Sequence, residues 1–287
     1  MEENILTRLE KEITGFTKSQ RQVAHYILCE PMQVAFSTID KIAHATNVST
    51  TTVLRLTVAM GYAGFTDFQH DLQQHLRTAS APLDKLAINS AEYTMAGDDD
   101  DIAVLTGLLI ENIRETYNHI SKETVHKAAE AIIGARHVYV CGSRSSQVFA
   151  SYLAFNLDRM FAKADLIDPH PNRLSEIMPR IGKGDVVIVC TLSRYIRSAL
   201  KVAEYAKRNQ ATVITVSDSY DSPIAENADC QMIVFCKTND FHNSFLSPLY
   251  LADILIDICS KQAKDEVARN LKRSEGYIND MNVMLRK

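Results

Sequence analysis

The chain has 287 residues, 46% hydrophobic and 23% charged, with a formal net charge of −4. This is ordinary globular chemistry for about two domains, and no run of about 18 apolar residues suggests a membrane span. The acidic, amphipathic start over 1–12 lacks the basic flank and apolar centre of a secretory signal, so a cytoplasmic location is expected.

Residues 1–77 read as several short helices. Thr17-Lys18-Ser19-Gln20 has the form of a capping box and opens a helix to about Cys29, which Pro31 ends. Ser37 is placed to cap a second helix in which Ile39, Ile42 and Ala43 repeat at helical spacing. A tight turn at Thr46-Asn47-Val48 leads to a helix capped by Ser49 that stops before Gly61, and Thr66 is placed to cap another to about Arg77. Short helices joined by tight turns are what a helix-turn-helix unit needs.

Residues 78–101 read as a linker, broken by Pro82, by Gly97 and by four aspartates at 98–101. The aspartates fit a solvated helix start better than a metal site. From 102 to 135 the pattern is helical. Strands then alternate with helices: strands at 137–141, 164–167, 185–191, 212–216 and 231–235, and helices at 146–161, 196–208 and 249–271. Continuous apolar strands separated by helices predict a parallel sheet covered on both faces. The fold class is thus an all-α helix-turn-helix domain (1–77), a linker (78–101) and an α/β domain with a parallel sheet flanked by helices (102–287).

The six cysteines form no C-x-x-C pair and mostly sit in apolar runs, as in Val140-Cys141 and Val189-Cys190, which suits buried, reduced thiols. His70 and His75 are five apart and would not share a helix face. No metal and no cofactor are expected.

Charge does not advertise a nucleic-acid binder. Residues 1–77 carry seven basic side chains (Arg8, Lys11, Lys18, Arg21, Lys41, Arg55, Arg77) against eight acidic ones (Glu2, Glu3, Glu10, Glu12, Glu30, Asp40, Asp67, Asp71), and phosphate attraction normally supplies much of DNA affinity. The pattern says more. Along the helix from Ser49, residues Val53, Leu56 and Met60 share one face and can pack on Ile39, Ile42 and Val48, while Thr51 and Arg55 point the opposite way with Thr50 and Thr52 on the flanks. Hydroxyls bond phosphates or base edges, and arginine pairs with guanine or phosphate, so Ser49, Thr50, Thr51, Thr52 and Arg55 are the expected DNA contacts. The alternative is a surface helix that packs a small core and nothing more.

Ser49-Thr50-Thr51-Thr52-Val53-Leu54-Arg55, followed by Gly61-Tyr62-Ala63-Gly64-Phe65-Thr66-Asp67-Phe68, resembles the DNA-binding domain of the RpiR family of regulators. The stretches 17–24 and 37–43 also fit that pattern. The resemblance implies a second, sugar-isomerase (SIS) domain, and with it a double-stranded DNA operator built as an inverted repeat and a homodimer or higher homo-oligomer.

Two loops stand out in the α/β region. Gly142-Ser143-Arg144-Ser145-Ser146 follows one predicted strand and runs into a helix; free N–H groups and three hydroxyls there make an anion cradle. It lacks the glycines of a dinucleotide fingerprint and the second glycine of a nucleophile elbow. Thr191-Leu192-Ser193-Arg194-Tyr195-Ile196-Arg197-Ser198 follows another strand and also opens a helix. Two such loops at the carboxyl ends of parallel strands define a crevice; otherwise they are two ordinary turns capped by serine.

SIS domains carry G-x-G-x-S in the first loop and S-x-S-G-x-T in the second, holding a sugar phosphate. Gly142, Ser143 and Ser146 fit the first, and Thr191 and Ser193 the second, but Arg144 and Arg194 each replace a glycine and Ile196 replaces the threonine. Residues 215–219, 222–225, 228–229 and 251–257 also match. The expected effector is a small anionic metabolite, a sugar phosphate or sugar acid. Arg144 and Arg194, with Arg197 nearby, suit extra negative charge or a carboxylate, unless their side chains simply point to solvent. The leading expectation is a ligand-controlled DNA-binding regulator without catalytic residues. The alternatives are a phosphosugar isomerase using Glu176 or His242 as acid or base, and a regulator whose pocket serves only dimerisation.

Overall fold

The computed structural model describes residues 5–79, 101–167 and 171–281. The chain divides into two compact units, 1–95 and 96–287. The linker expected at 78–101 lies largely outside the described residues, as do three of the four aspartates; the fourth, Asp101, begins a helix.

Among the described residues the first unit is helical: α1 (Ile5–Glu12), α2 (Lys18–Cys29), α3 (Pro31–Ala35), α4 (Ile39–Ala45), α5 (Thr50–Ala59) and α6 (Phe65–Ala79). The capping box forms, with the Thr17 hydroxyl accepting from the Gln20 N–H and the Gln20 side chain accepting from the Thr17 N–H. Pro31 ends α2 but also starts α3, where its fixed φ and missing N–H suit the first position; the sequence pattern did not separate this short helix. Two expected caps move. Thr38, not Ser37, accepts from the Lys41 N–H at the start of α4. Thr66 lies inside α6, and it is Asp67 that accepts the free N–H of Ala63 ahead of that helix. Acidic side chains bind such orphan donors more strongly than a threonine hydroxyl.

One core holds the unit together: Leu9, Val23, Ile27, Ile42, Val53, Leu56, Phe68 and Leu72 are buried, with Ile39 and Val48 packed against them. Gln69 donates to the carbonyl oxygens of Val34 and Ser37, and Gln73 to that of Ala35, so α6 satisfies the chain end between α3 and α4.

The second unit opens with α7 (Asp101–His119) and α8 (Lys122–Gly134). The single helical pattern expected over 102–135 is therefore two helices, broken where Ser121 caps α8 by accepting from the Thr124 N–H. There follow β1 (Val138–Gly142), α9 (Gln147–Phe161), β2 (Ala164–Ile167), α10 (Pro171–Ile177), β3 (Val186–Cys190), α11 (Arg197–Arg208), β4 (Thr212–Ser217), β5 (Cys230–Ile233), α12 (Leu246–Gln262) and α13 (Lys264–Asp280). The long helix expected over 249–271 is likewise two, α12 and α13, meeting at Ala263.

All strand pairs are parallel, in the order β2-β1-β3-β4-β5. Alternate side chains point to opposite faces of a strand. Val140, Val186, Ile188 and Ile214 enter a core shared with α8, α9 and α12. Tyr139, Val187, Val189 and Val213 enter a second core beneath α11. Both faces are covered, which is why β3 reads Val-Val-Ile-Val-Cys without polar alternation. At the amino end of β3 the buried Asp185 accepts from Arg136 at 2.6 and 2.9 Å and from the Gly182 N–H at 2.9 Å, closing that end of the sheet.

Among the described residues no helix is long and apolar enough to cross a membrane. Five cysteines are buried and Cys29 is exposed; burial pushes the thiols of Cys141, Cys190 and Cys259 up to about 12, so they stay protonated and inert.

Candidate functional site

The helix-turn-helix is α4, the turn at 46–49, and α5. Thr46 anchors the turn by donating its hydroxyl to the Ile42 carbonyl at 2.7 Å, Asn47 takes the left-handed φ of 49° that asparagine tolerates, and the Val48 N–H returns to the Ala43 carbonyl. Gly61, at a φ of 87°, releases the chain from α5. Helix α5 buries Val53, Leu56, Thr57 and Met60 and leaves Thr51 and Arg55 exposed on the opposite side, with Thr50 and Thr52 partly covered.

The five residues expected to meet DNA divide by what their side chains already do. The Ser49 hydroxyl accepts from the Thr52 N–H at 3.2 Å and bonds the Thr52 hydroxyl at 3.0 Å, so this pair closes the helix start. Among the described residues no hydrogen bond or ion pair occupies the side chains of Thr50, Thr51 or Arg55.

In the α/β unit β1 and β3 are neighbours, with Gly142 opposite Cys190. The chain leaves β1 toward β2 on one side and β3 toward β4 on the other. That is the switch point of a doubly wound sheet, the place beyond the strands' carboxyl ends where sheets of this kind bind their ligands. The first loop folds tightly. A Cβ at Gly142 would collide with the Ser146 carbonyl and lie 3.0 Å from the Ala150 Cβ, so only glycine allows the loop to turn back on itself. Residues Arg144–Ser146 form a 3₁₀ turn that feeds α9. Ser143 and Ser146 are buried, while Arg144 and Ser145 are exposed.

In the second loop the buried Thr191 hydroxyl accepts from the Ile196 N–H at 3.4 Å. The two loops touch where the Ser143 and Ser198 hydroxyls lie 3.4 Å apart. Arg197 and Ser198 are the first two residues of α11, whose N–H groups have no intrahelical acceptor.

Arg144 and Arg194 both adopt left-handed backbone, with φ of 54° and 69°. These are the two positions where the family pattern has glycine, and a side chain there costs about 1–2 kcal/mol each. Among the described residues the guanidinium groups of Arg144, Arg194 and Arg197 form no hydrogen bond and no ion pair, and all three residues are exposed.

Three participants had no role assigned from the sequence: Asp218, Tyr195 and Ser198. Asp218, just past β4, accepts from the Ser193 N–H at 2.9 Å, from the Ser193 hydroxyl and from the Tyr195 hydroxyl at 3.1 Å. Burial and the Asp218 charge raise the Tyr195 phenol above its usual range, so it remains a donor. Ser193 is thus spent in bracing the loop. Ser198 completes the contact with Ser143. The signal for Asp218 was its place directly after an apolar strand, beside the two loops already marked. Among the described residues no cluster of three or more His, Cys, Asp or Glu side chains could hold a metal ion.

A helix-turn-helix and, in the same chain, a doubly wound sheet are the two parts of a transcriptional regulator with a SIS domain. Residues 3–79 match the helix-turn-helix domain of the rpiR family, and residues 131–257 match the SIS domain; the chain belongs to the RpiR family of regulators. An HTH-type transcriptional regulator of Clostridium perfringens is 23% identical over 283 residues, covering 96% of this chain and 99% of its own length. HexR of Escherichia coli is 25% identical over 234 residues, covering 78% of this chain and 75% of HexR. The solved structure of Vibrio vulnificus NanR, complexed with ManNAc-6P, shares the fold with a TM-score of 0.60 at 21% identity, covering 99% of this chain and 100% of NanR.

Proposed function

We propose that this regulator binds an inverted-repeat operator as a homodimer or higher homo-oligomer through α5, and that a small anionic metabolite, a sugar phosphate or sugar acid, controls that binding from the switch-point crevice. The working division is a DNA-binding domain at 1–77, a linker at 78–101 and an effector domain at 102–287; α6 runs two residues past the first boundary, to Ala79. Thr50, Thr51 and Arg55 supply the contacts to DNA, and Ser49 with Thr52 fixes the helix that carries them.

The observation that carries the effector reading is the set of three exposed, unpartnered guanidiniums at Arg144, Arg194 and Arg197, held where α9 and α11 begin. Arginine grips carboxylate and phosphate through paired donors, and helix starts favour anions. Gly142, Ser143, Ser145, Ser146 and Thr191 supply the surrounding backbone and hydroxyls, and Ser193 holds the second loop through Asp218. NanR, which has the same fold, is complexed with a phosphorylated sugar.

An isomerase needs a free base beside the crevice. Asp218 is taken up by Ser193 and Tyr195, while Glu176 and His242 are exposed, the latter with its ring against Phe241. The regulator reading is therefore the better one.

A thermal-shift screen of the full chain tests it, comparing neutral sugars, sugar monophosphates, sugar acids and sugar bisphosphates. A ligand at 100 times its Kd adds about 2.7 kcal/mol, and the anionic compounds should give that shift while neutral sugars give none. Equal shifts with neutral sugars, or none with any anion, would count against an anion-sensing crevice.

A further inference from the structure

Helix α5 offers more than hydroxyls and one guanidinium. Its rotation is fixed by the buried Val53, Leu56, Thr57 and Met60. At 100° per residue the stripe on the outward side is Thr51, Leu54, Arg55 and Val58, spaced i, i+3, i+4 and i+7, with Leu54 at its edge. Two of these four are aliphatic, and they are open: Leu54 is 41% exposed and Val58 53%. The other long aliphatic side chains of the helix, Val53 and Leu56, are packed away.

The same domain is poor in cations, with seven basic against eight acidic side chains over 1–77. A reader that gains little from phosphates has to recover affinity at short range. The edges of bases in the major groove present hydrogen-bonding groups, and thymine adds an apolar one, its C5-methyl. An aliphatic pair flanking the single arginine of the reading face fits that group and no other feature of the groove floor.

We propose that Leu54 and Val58 read thymine methyl groups, so that each operator half-site carries thymine under the middle of α5, beside the base or phosphate held by Arg55. This rests on α5 being the DNA-reading helix. It assigns Leu54 and Val58 a role in sequence discrimination that the hydroxyls and Arg55 do not fill.

The test uses a duplex recovered by genomic selection with the full-length protein. The same duplex is then made with deoxyuridine in place of thymidine, which removes the methyl and keeps every hydrogen-bonding edge. The unmodified protein should bind the uracil duplex about fourfold more weakly for each methyl group taken from under the helix, the value of one buried CH₂ group. The Leu54→Ala/Val58→Ala double variant should bind the thymine duplex more weakly and respond little to the uracil exchange. Both side chains are exposed, so its thermal midpoint should match the unmodified protein. Equal affinity of the unmodified protein for both duplexes overturns the inference. So does an equal loss in protein and variant, which would mean that uracil acts through duplex shape. Dissociation of the variant into smaller species, with no uracil effect, would assign the stripe to contacts between copies of the chain. Failure to recover any duplex removes the DNA-binding reading and this inference together, whereas recovery of a uracil-insensitive duplex removes the inference alone.

Discussion

Helix α5 and the two loops at the switch point are built in opposite ways. Helix α5 is relaxed: Ser49 caps it, four buried side chains fix its rotation, and its outward stripe holds one cation among a hydroxyl and two aliphatics. The crevice loops are strained and charged. Two arginines occupy left-handed backbone that suits glycine, and a third opens α11. Strain of this kind persists where the surroundings over-determine it, and it gathers at functional sites. Here the Asp218 bonds to Ser193 and Tyr195 and the tight Gly142 turn provide that constraint. On the proposed reading the contrast lies in where charge is used: little of it on the helix assigned to DNA, and three guanidiniums at the loops assigned to a small anion.

The largest expected effect breaks the crevice half of the contrast. The Arg144→Ala/Arg194→Ala variant should lose about 3 kcal/mol or more of effector binding, over 100-fold, as two charge-assisted hydrogen bonds disappear. Its stability should stay level, because alanine keeps the same strained backbone. Isothermal calorimetry reads the first and chemical denaturation the second; unchanged effector affinity would mean that both guanidiniums face solvent.

The helix half is tested next. Arg55→Ala should cost about 1–3 kcal/mol of operator affinity and less than about 0.5 kcal/mol of stability, measured by fluorescence anisotropy and thermal melting. A loss of stability equal to the loss of binding would make Arg55 a packing residue instead. With so few cations on this domain, the dependence of operator affinity on salt should also be shallow.

Smaller effects sharpen the division within α5. Ser49→Ala should lower stability by about 1 kcal/mol, and Ser49→Asp should restore it, because aspartate caps as well as serine. Thr51→Ala should leave stability alone. If the neutral cap Ser49→Asn keeps stability yet abolishes DNA binding, the hydroxyl has a direct role beyond capping.

The smallest effect has an unusual sign. Arg144→Gly and Arg194→Gly should each raise stability by a few tenths to about 1 kcal/mol, since relief of the left-handed backbone outweighs the freedom glycine adds to the unfolded chain. Both should weaken the effector. Destabilisation by either would show that the arginine side chain, rather than its backbone, is what the loop needs.

Most of the fold was legible because its signals are local. The capping box at Thr17, the cap at Ser49 and the fully apolar β3 each declare themselves within a few residues. The misplacements share a cause. Breaks between helices at Ile120 and Ala263, and the extra helix at Pro31, fall in short polar stretches that the helical repeat on either side runs across, and a cap such as Ser121 inside them is a weaker signal than the repeat. Within the site, the two loops were visible as strand-to-helix turns, and Arg144 and Arg194 as departures from a glycine pattern. Asp218 was not, because its partners Ser193 and Tyr195 lie more than twenty residues away and meet it only through the pairing of β3 with β4. The aliphatic half of the outward stripe was overlooked for another reason: hydroxyls and charge drew the reading of α5, and the exposure of Leu54 and Val58 shows only in the folded domain.

The central claim is that occupancy of the arginine-bearing crevice is coupled to DNA binding. Operator affinity should be measured with and without a saturating effector, in the unmodified protein and in the Arg144→Ala/Arg194→Ala variant at the same effector concentration. Coupling between two sites typically changes affinity about 5–150-fold. The account predicts a change of that size in the unmodified protein and none in the variant. Identical operator affinity with and without a bound anion, or a full response in the variant, would contradict it.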